Sequence, residues 1–235
     1  MGFTHGERFN YIGVFMNVSI FSLYWDNGKS LYELNKKVTD HFELNVNYHN
    51  LNNIRHGHWM DNIMHNCNSE VIGFFDVDCI PTNRDIVEKS ISYVVENNSF
   101  IGIAQASNHI PPCSHIFAAP AFFFITKDCY MNRLNKPSFL ENERSDVAEE
   151  VSYVAEEKNV KYRCFYPTHF ERPSTEGVWD LSNYGKFAIG THFNGGIYHL
   201  YQGRFANNVA LFNERCNQII SGNFSTQNMI SSVEL

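Results

Sequence analysis

The chain is 235 residues long, with 43% hydrophobic residues, 18% charged residues and a formal net charge of −7. That apolar share supports a packed core and excludes a disordered chain, while the acidic balance argues against nucleic-acid binding, which needs a basic face. The length suits one α/β domain, so residues 1–235 are read as a single domain whose end, about 221–235, is expected to fray.

In chain order, residues 11–18 read as a strand, and Asp26-Asn27-Gly28 punctuates. Leu31, Leu34 and Val38 then recur at helical spacing up to about residue 41. Residues 43–48 suggest a second strand. Met60, Ile63, Met64 and Cys67 give one apolar face of a short helix. Val71-Ile72-Gly73-Phe74-Phe75 is a continuous apolar run, as in a strand buried on both faces. Thr82, three residues before Asp85, is expected to cap a helix continued by Val87, Ile91 and Val94. Strands follow at 100–105 and 119–126, separated by a break at Pro111-Pro112. A helix is expected to start near Asp146, with Val147, Val151, Val154 and Ala155 on its face. Residues 161–166 return as a strand, and Val209, Phe212, Cys216 and Ile219 mark a last helix. The alternation predicts an α/β fold with an open, mainly parallel (mixed) sheet flanked by helices.

The six cysteines form no Cys-x-x-Cys spacing, so buried free thiols in a reducing compartment are expected. Residues 11–25 are interrupted by Asn17, Ser19 and Ser22 and lack a basic leader and a cleavage site. No signal peptide and no membrane span are expected, and the expected location is cytoplasmic.

Chemistry concentrates at Asp76-Val77-Asp78-Cys79-Ile80-Pro81, directly after the apolar run. Two carboxylates stand where a buried strand ends, the edge at which open α/β sheets bind ligands. In an extended segment Asp76 and Asp78 share a face and repel unless a cation joins them, and a hard divalent metal serves that purpose. The competing reading makes one aspartate a helix cap and leaves the other solvated. Thr82 already fills the capping role, which favours the metal.

An apolar strand, Asp-x-Asp, an Ile-Pro turn and a helix together resemble the metal motif of GT-A fold glycosyltransferases of the broad family 2 type. The resemblance runs over roughly residues 11–202. Ala119-Pro120-Ala121 and the Phe122-Phe123-Phe124 run are similar to the family's acceptor-side strand. Ser145-Asp146-Val147-Ala148-Glu149-Glu150 stands where such enzymes place the catalytic base, and Ile197-Tyr198-His199-Leu200 looks like the late strand that gives a histidine to the metal. The resemblance implies a single GT-A-like domain that takes a nucleotide-sugar donor and a glycan or glycoconjugate acceptor, with inversion. It implies Asp78 and His199 as ligands of Mn²⁺ (or Mg²⁺), and imidazole beside carboxylate leans towards Mn²⁺. Asp76 and Asp78 would meet the donor together with Asn17, Asn47 and Arg55, the last because guanidinium suits phosphate. The second strand offers amides, Asn45 and Asn47, where the family often has an aspartate for the base.

Asp146, backed by Glu149, is the candidate general base. The same pair is also a capping-box pattern, and both readings stay open. Trp179 and His192 are weaker candidates for the acceptor side. His56, His58 and His65 lack the interleaved carboxylate of a zinc helix and are read as incidental. Two other readings compete. A haloacid-dehalogenase-like phosphatase also starts from Asp-x-Asp but needs a later acidic pair that the chain lacks, and a nucleotide-sugar-binding domain without turnover would keep the fold alone.

Overall fold

The computed structural model describes residues 7–11, 14–107, 114–171, 177–203 and 205–233; Cys113 and the Pro111-Pro112 break lie outside them. In chain order the elements are β1 (Glu7–Tyr11), β2 (Val14–Tyr24), α1 (Lys29–His41), β3 (Val46–Asn50), α2 (His56–Asn66), β4 (Val71–Asp76) and β5 (Cys79–Pro81). Then come α3 (Asp85–Asn97), β6 (Phe100–Ala106), β7 (Ile116–Thr126), α4 (Glu149–Glu157), β8 (Arg163–Phe165) and β9 (Pro167–Glu171). The last are β10 (Val178–Asp180), β11 (Lys186–Ala188), β12 (Gly190–Phe193), β13 (Ile197–Leu200), α5 (Ala206–Ile220) and β14 (Ile230–Ser231).

The central sheet has the order β1-β2-β4-β7-β6-β8, with β3 beside the second half of β2, where β1 has ended. Strands β2, β3, β4, β6 and β8 run one way, while β1 and β7 oppose them. The fold is therefore α/β with a mixed, mainly parallel sheet, as the alternation predicts. A smaller antiparallel sheet, β14-β9-β12-β13-β5, takes over where β4 stops.

Side-chain alternation assigns the two faces of the central sheet. Phe21, Leu23, Ile72, Phe74, Phe123 and Ile125 pack with Trp59, Met60, Ile63 and Met64 of α2 and with Val151 and Ala155 of α4. Val71, Phe75, Ile101, Ile103, Phe122 and Phe124 pack on the other face with Ile86, Val87, Ile91 and Val94 of α3. A third cluster joins Leu31, Leu34 and Val38 of α1 to Phe212, Cys216 and Ile219 of α5 over Ile80, Tyr198 and Leu200 of the small sheet.

Several boundaries differ from expectation for local reasons. Strand β2 continues to Tyr24 through its polar interruptions, paired with β3 and β4 along that length, and Ser19 Oγ lies buried 2.7 Å from Ser69 Oγ. Strand β3 starts at Val46 because residues 42–44 close α1, with Glu43 at φ 54 and the Leu44 N–H on the Thr39 carbonyl. Asn83, not Thr82, caps α3, its Oδ1 accepting the Ile86 N–H at 3.1 Å. Helix α4 starts three residues late, at Glu149, because Ala148 takes φ 67. Within 221–235, expected to fray, β14 pairs with β9. Cys67, Cys79, Cys129, Cys164 and Cys216 are free thiols, as expected, with Cys164 only partly buried.

Gly73, in the middle of β4, lets the Phe124 ring lie across the strand, and a Cβ there would come 2.5 Å from Phe124 Cε1. Gly73→Ala should therefore overpack the core by about 1–3 kcal/mol. For a chain of this size that is a fall in Tm of roughly 2–4 °C per kcal/mol, read by thermal melting.

Candidate functional site

Strand β4 delivers Asp76 as its last residue, and β5 begins at Cys79, so both carboxylates sit on a tight turn between two sheets. Strand β13 pairs antiparallel with β5 in the register His199↔Cys79, and the Leu200 N–H donates to the Asp78 carbonyl at 2.8 Å. This pairing carries His199 to the turn across more than a hundred residues of chain. Ligand atoms of Asp76, Asp78 and His199 lie within 4.8 Å of one another. His199 Nε2 is 3.5 Å from Asp78 Oδ1, and His56 Nε2 is 3.5 Å from Asp76 Oδ1.

The electrostatics of the turn ask for a counter-charge. Burial holds the Asp76 carboxyl above its ordinary range, and the Asp78 charge adds to this against the pull of His56 and His199. His199 is buried, and its Nδ1 has no hydrogen-bond partner among the described residues. Two ligands at right angles around a cation at about 2.1–2.3 Å stand roughly 3.0–3.3 Å apart, close to the His199–Asp78 spacing. Two carboxylates and an imidazole are a donor set that could hold a divalent cation.

A cleft of about 650 Å³ opens above this cluster, lined by Trp25, Asp26, Asn27, Gly28, Asn52, Asn53, His56, Asp76, Asp78 and Gly203, among others. Asp26 is fixed at its rim by the amides of Asn50, at 3.0 Å, and Asn52, at 2.7 Å. A Cβ on Gly203 would stand 2.8 Å from Asp78 Oδ2, so a larger residue there would push on the carboxylate.

Three residues expected on the donor side are placed elsewhere. Asn17 lies at the opposite end of the sheet: its N–H donates to Glu70 Oε2, and β2 reaches Asp76 only at Leu23, about 20 Å further along. Asn47, on the edge strand β3, gives its amide to the Ile20 carbonyl at 3.0 Å and does not line the cleft. Arg55 is paired with Glu141, its Nε 2.9 Å from Oε1. The cleft takes its amides from Asn27, Asn52 and Asn53 instead.

On the acid–base side, Asp146 and Glu149 stand outside the residues that line the cleft. Glu149 is 2% exposed, one oxygen 2.7 Å from His115 Nδ1 and the other accepting the Asp146 N–H at 2.7 Å. With both oxygens engaged, it serves as the reaching half of a capping box and anchors His115, which corrects its reading as a base. Asp146 Oδ1 accepts the N–H of Val147 at 2.7 Å, so the other half of the box, a bond to the Glu149 N–H, is not made by that oxygen. His115 directly precedes β7, whose Ile116 pairs with Ala106 at the carboxyl end of β6. Asp146 therefore belongs to the same sheet edge as Asp76.

The weaker acceptor candidates are packed. Trp179 lies against Phe187 and Tyr201, with ring centroids 5.4 Å away in both cases. His192 Nδ1 is 2.8 Å from Thr168 Oγ1, and burial lowers its pKa to about 4. Sequence reasoning set His56 aside as incidental and missed Asp26 and Tyr201, whose ring centroid is 4.0 Å from that of His199.

No protein-family model matches the chain, and no curated protein matches its sequence. Similar solved structures include a mannosyltransferase from Pyrobaculum calidifontis in complex with GDP-Man and Mn²⁺, at 10% identity and TM-score 0.43, covering 63% of this chain and 54% of that one. A 4-diphosphocytidyl-2C-methyl-D-erythritol synthase from Anaerococcus prevotii is similar at 11% identity and TM-score 0.42, covering 63% and 87%. A glycosyltransferase involved in glycosylation of the major capsid of PBCV-1 follows at 12% identity and TM-score 0.37, covering 63% and 80%. The chain spans about half the length of the mannosyltransferase. Among the described residues, no helix is long and apolar enough to cross a membrane.

The His115 contact generates a pH prediction. Burial opposes the imidazolium, but hydrogen bonds to Glu149 and Glu156 outweigh it, and the His115 pKa is raised above 6.5. A raised folded value contributes stability that is fully present below about pH 6.5 and is lost as pH rises through the folded pKa. His115→Gln should thus lower Tm most in acid, with the gap to the parent shrinking towards about pH 8. A gap independent of pH would mean that His115 acts only by packing on Tyr153.

Proposed function

We propose that this chain is a glycosyltransferase that moves a sugar from a nucleotide-diphosphate donor to a hydroxyl of a glycan or glycoconjugate, with inversion. A divalent cation, Mn²⁺ or Mg²⁺, would be held by Asp76, Asp78 and His199. The observation that carries the reading is the convergence of their ligand atoms to within 4.8 Å of one another, with Asp76 and Asp78 lining the cleft where β4 ends. A cation bound there supplies the positive charge that a departing diphosphate requires.

The chain's own groups divide the remaining work. Trp25, 37% exposed at the rim, offers an indole face for stacking a base, and Asp26, Asn27 and Asn52 offer the polar edge that a base and ribose need. His56, beside Asp76, faces the space where a phosphate would lie. Asp146 remains the proposed proton acceptor for the incoming hydroxyl, supported by its place on the same edge. Because its Oδ1 already accepts an N–H, substrate binding must bring the other oxygen to the hydroxyl.

Melting the protein with UDP-, GDP- and dTDP-sugars, with and without Mn²⁺, tests the donor site. A ligand at about a hundred times its Kd adds about 2.7 kcal/mol and raises Tm measurably. The donor that does so should require Mn²⁺, and Asp78→Asn should abolish the shift while Asp76→Asn weakens it. Release of pyrophosphate from a nucleoside triphosphate and a sugar phosphate, with no nucleoside diphosphate formed from any donor, would make the chain a nucleotidyltransferase instead.

Asp146→Asn separates base from cap. The amide still accepts the Val147 N–H, so the fold and donor affinity should hold, while turnover falls roughly 10²–10⁴-fold. Turnover within a few-fold of the parent would remove Asp146 from the reaction.

A further inference from the structure

The turn that carries the two aspartates is held from outside by one side chain. Asn35 is fully buried on α1, and its amide nitrogen lies 3.2 Å from the Asp76 carbonyl, 3.1 Å from that of Val77 and 2.8 Å from that of Cys79. The fourth carbonyl of the turn, that of Asp78, accepts the Leu200 N–H at 2.8 Å. All four carbonyls from 76 to 79 thus meet a donor outside the turn, from α1 or from the strand bearing His199. An amide has two N–H donors, so one is shared between the neighbouring Asp76 and Val77 carbonyls.

A second layer orients the amide. Asn35 Oδ1 accepts the Tyr48 hydroxyl at 2.7 Å, and Thr39 Oγ1, which is 3.0 Å from the Lys36 carbonyl, lies 2.9 Å from the Tyr48 oxygen. Burial pushes the Tyr48 phenol well above its ordinary pKa, so it stays a donor. The sequence context is equally pointed. Asn35 belongs to the buried stripe of α1, with Leu31, Leu34 and Val38, where leucine would suit both helix propensity and packing. A polar residue that breaks a local rule at such a place is expected where function requires it.

We propose that Asn35, oriented by Tyr48, is the positioning residue of the cation site, fixing the backbone of the Asp76–Cys79 turn so that both carboxylates converge on His199. Asn35 does not line the cleft and acts through the turn alone. This inference rests on the cation reading above and deepens it. Without the amide, the buried carbonyls of Val77 and Cys79 and the part-buried carbonyl of Asp76 lose this donor, and the turn must move to find replacements. The carboxylates, which repel each other, are then free to separate.

Mn²⁺ titration of the full chain, followed by the electron paramagnetic resonance of free Mn²⁺, tests it. Asn35→Leu should weaken Mn²⁺ binding roughly 10–100-fold, the range for losing an outer partner of a metal ligand, and Tyr48→Phe should weaken it by a smaller factor. Val94→Ala, a cavity variant in the distant core under α3 that also lowers Tm, should keep Mn²⁺ affinity within about twofold. The positioning role is overturned if Asn35→Leu and Tyr48→Phe bind Mn²⁺ as the parent does while Asp78→Asn does not, or if Val94→Ala weakens binding as much as they do. A parent chain that binds no Mn²⁺, or an Asp78→Asn variant with full affinity, overturns the cation reading and this inference together. If Asn35→Leu does not fold, Tyr48→Phe carries the same decision.

Discussion

Two carboxylates that share the end of a buried strand repel each other, and the structure around residues 76–79 is arranged to keep them together nonetheless. Strand β4 runs fully buried to Phe75 and then leaves the central sheet. Two residues later the chain joins the small sheet as β5, so the aspartates occupy the seam between two sheets. The seam is where His199 can reach them, since β13 belongs to the small sheet and Asp76 to the large one. Helices α1 and α5 cover this seam through one apolar cluster, and Asn35 and Thr39 are polar residues of α1 buried beside it. Helix packing, sheet switching and site geometry are therefore coupled at a single turn.

The same economy appears at the start of α4. Glu149 is buried at the start of α4 and would be costly as a lone charge, but it anchors the preceding backbone and the His115 ring at once. His115 also meets Glu156, two turns further along the same helical face, and stacks on Tyr153, with ring centroids 3.8 Å apart. The cluster ties α4 to the first residues of β7. It holds the segment that carries Asp146 against the sheet edge where β6 ends.

Much of the architecture was legible because burial follows periodicity. The run 71–75 could only be an interior strand, and its alternation divides cleanly between α2 on one face and α3 on the other. The Asp-x-Asp pair at the end of that run pointed to the sheet edge where the cleft lies by the same logic. Asn17 shows where this logic stops. A polar residue near a first strand looked like a ligand, but the register Val18↔Val71 sets it at the far end from Asp76. Register between strands far apart in sequence is not encoded in either strand alone.

By itself the sequence determined the α/β alternation, the apolar faces, the free thiols and the carboxylate pair, because each depends on neighbours within a few residues. The tertiary structure alone decided which remote groups join the pair. His199 arrives through a strand pairing, His56 through the start of α2 beside β4, and Asn35 through the packing of α1 across the seam. It also decided that Asp146 and Glu149 do not form the full box that their spacing suggested, since Ala148 turns left-handed and delays the helix. Local propensity fixes what each segment is. Contacts that close long loops fix what the segments hold between them, and those contacts are made only when the whole core packs.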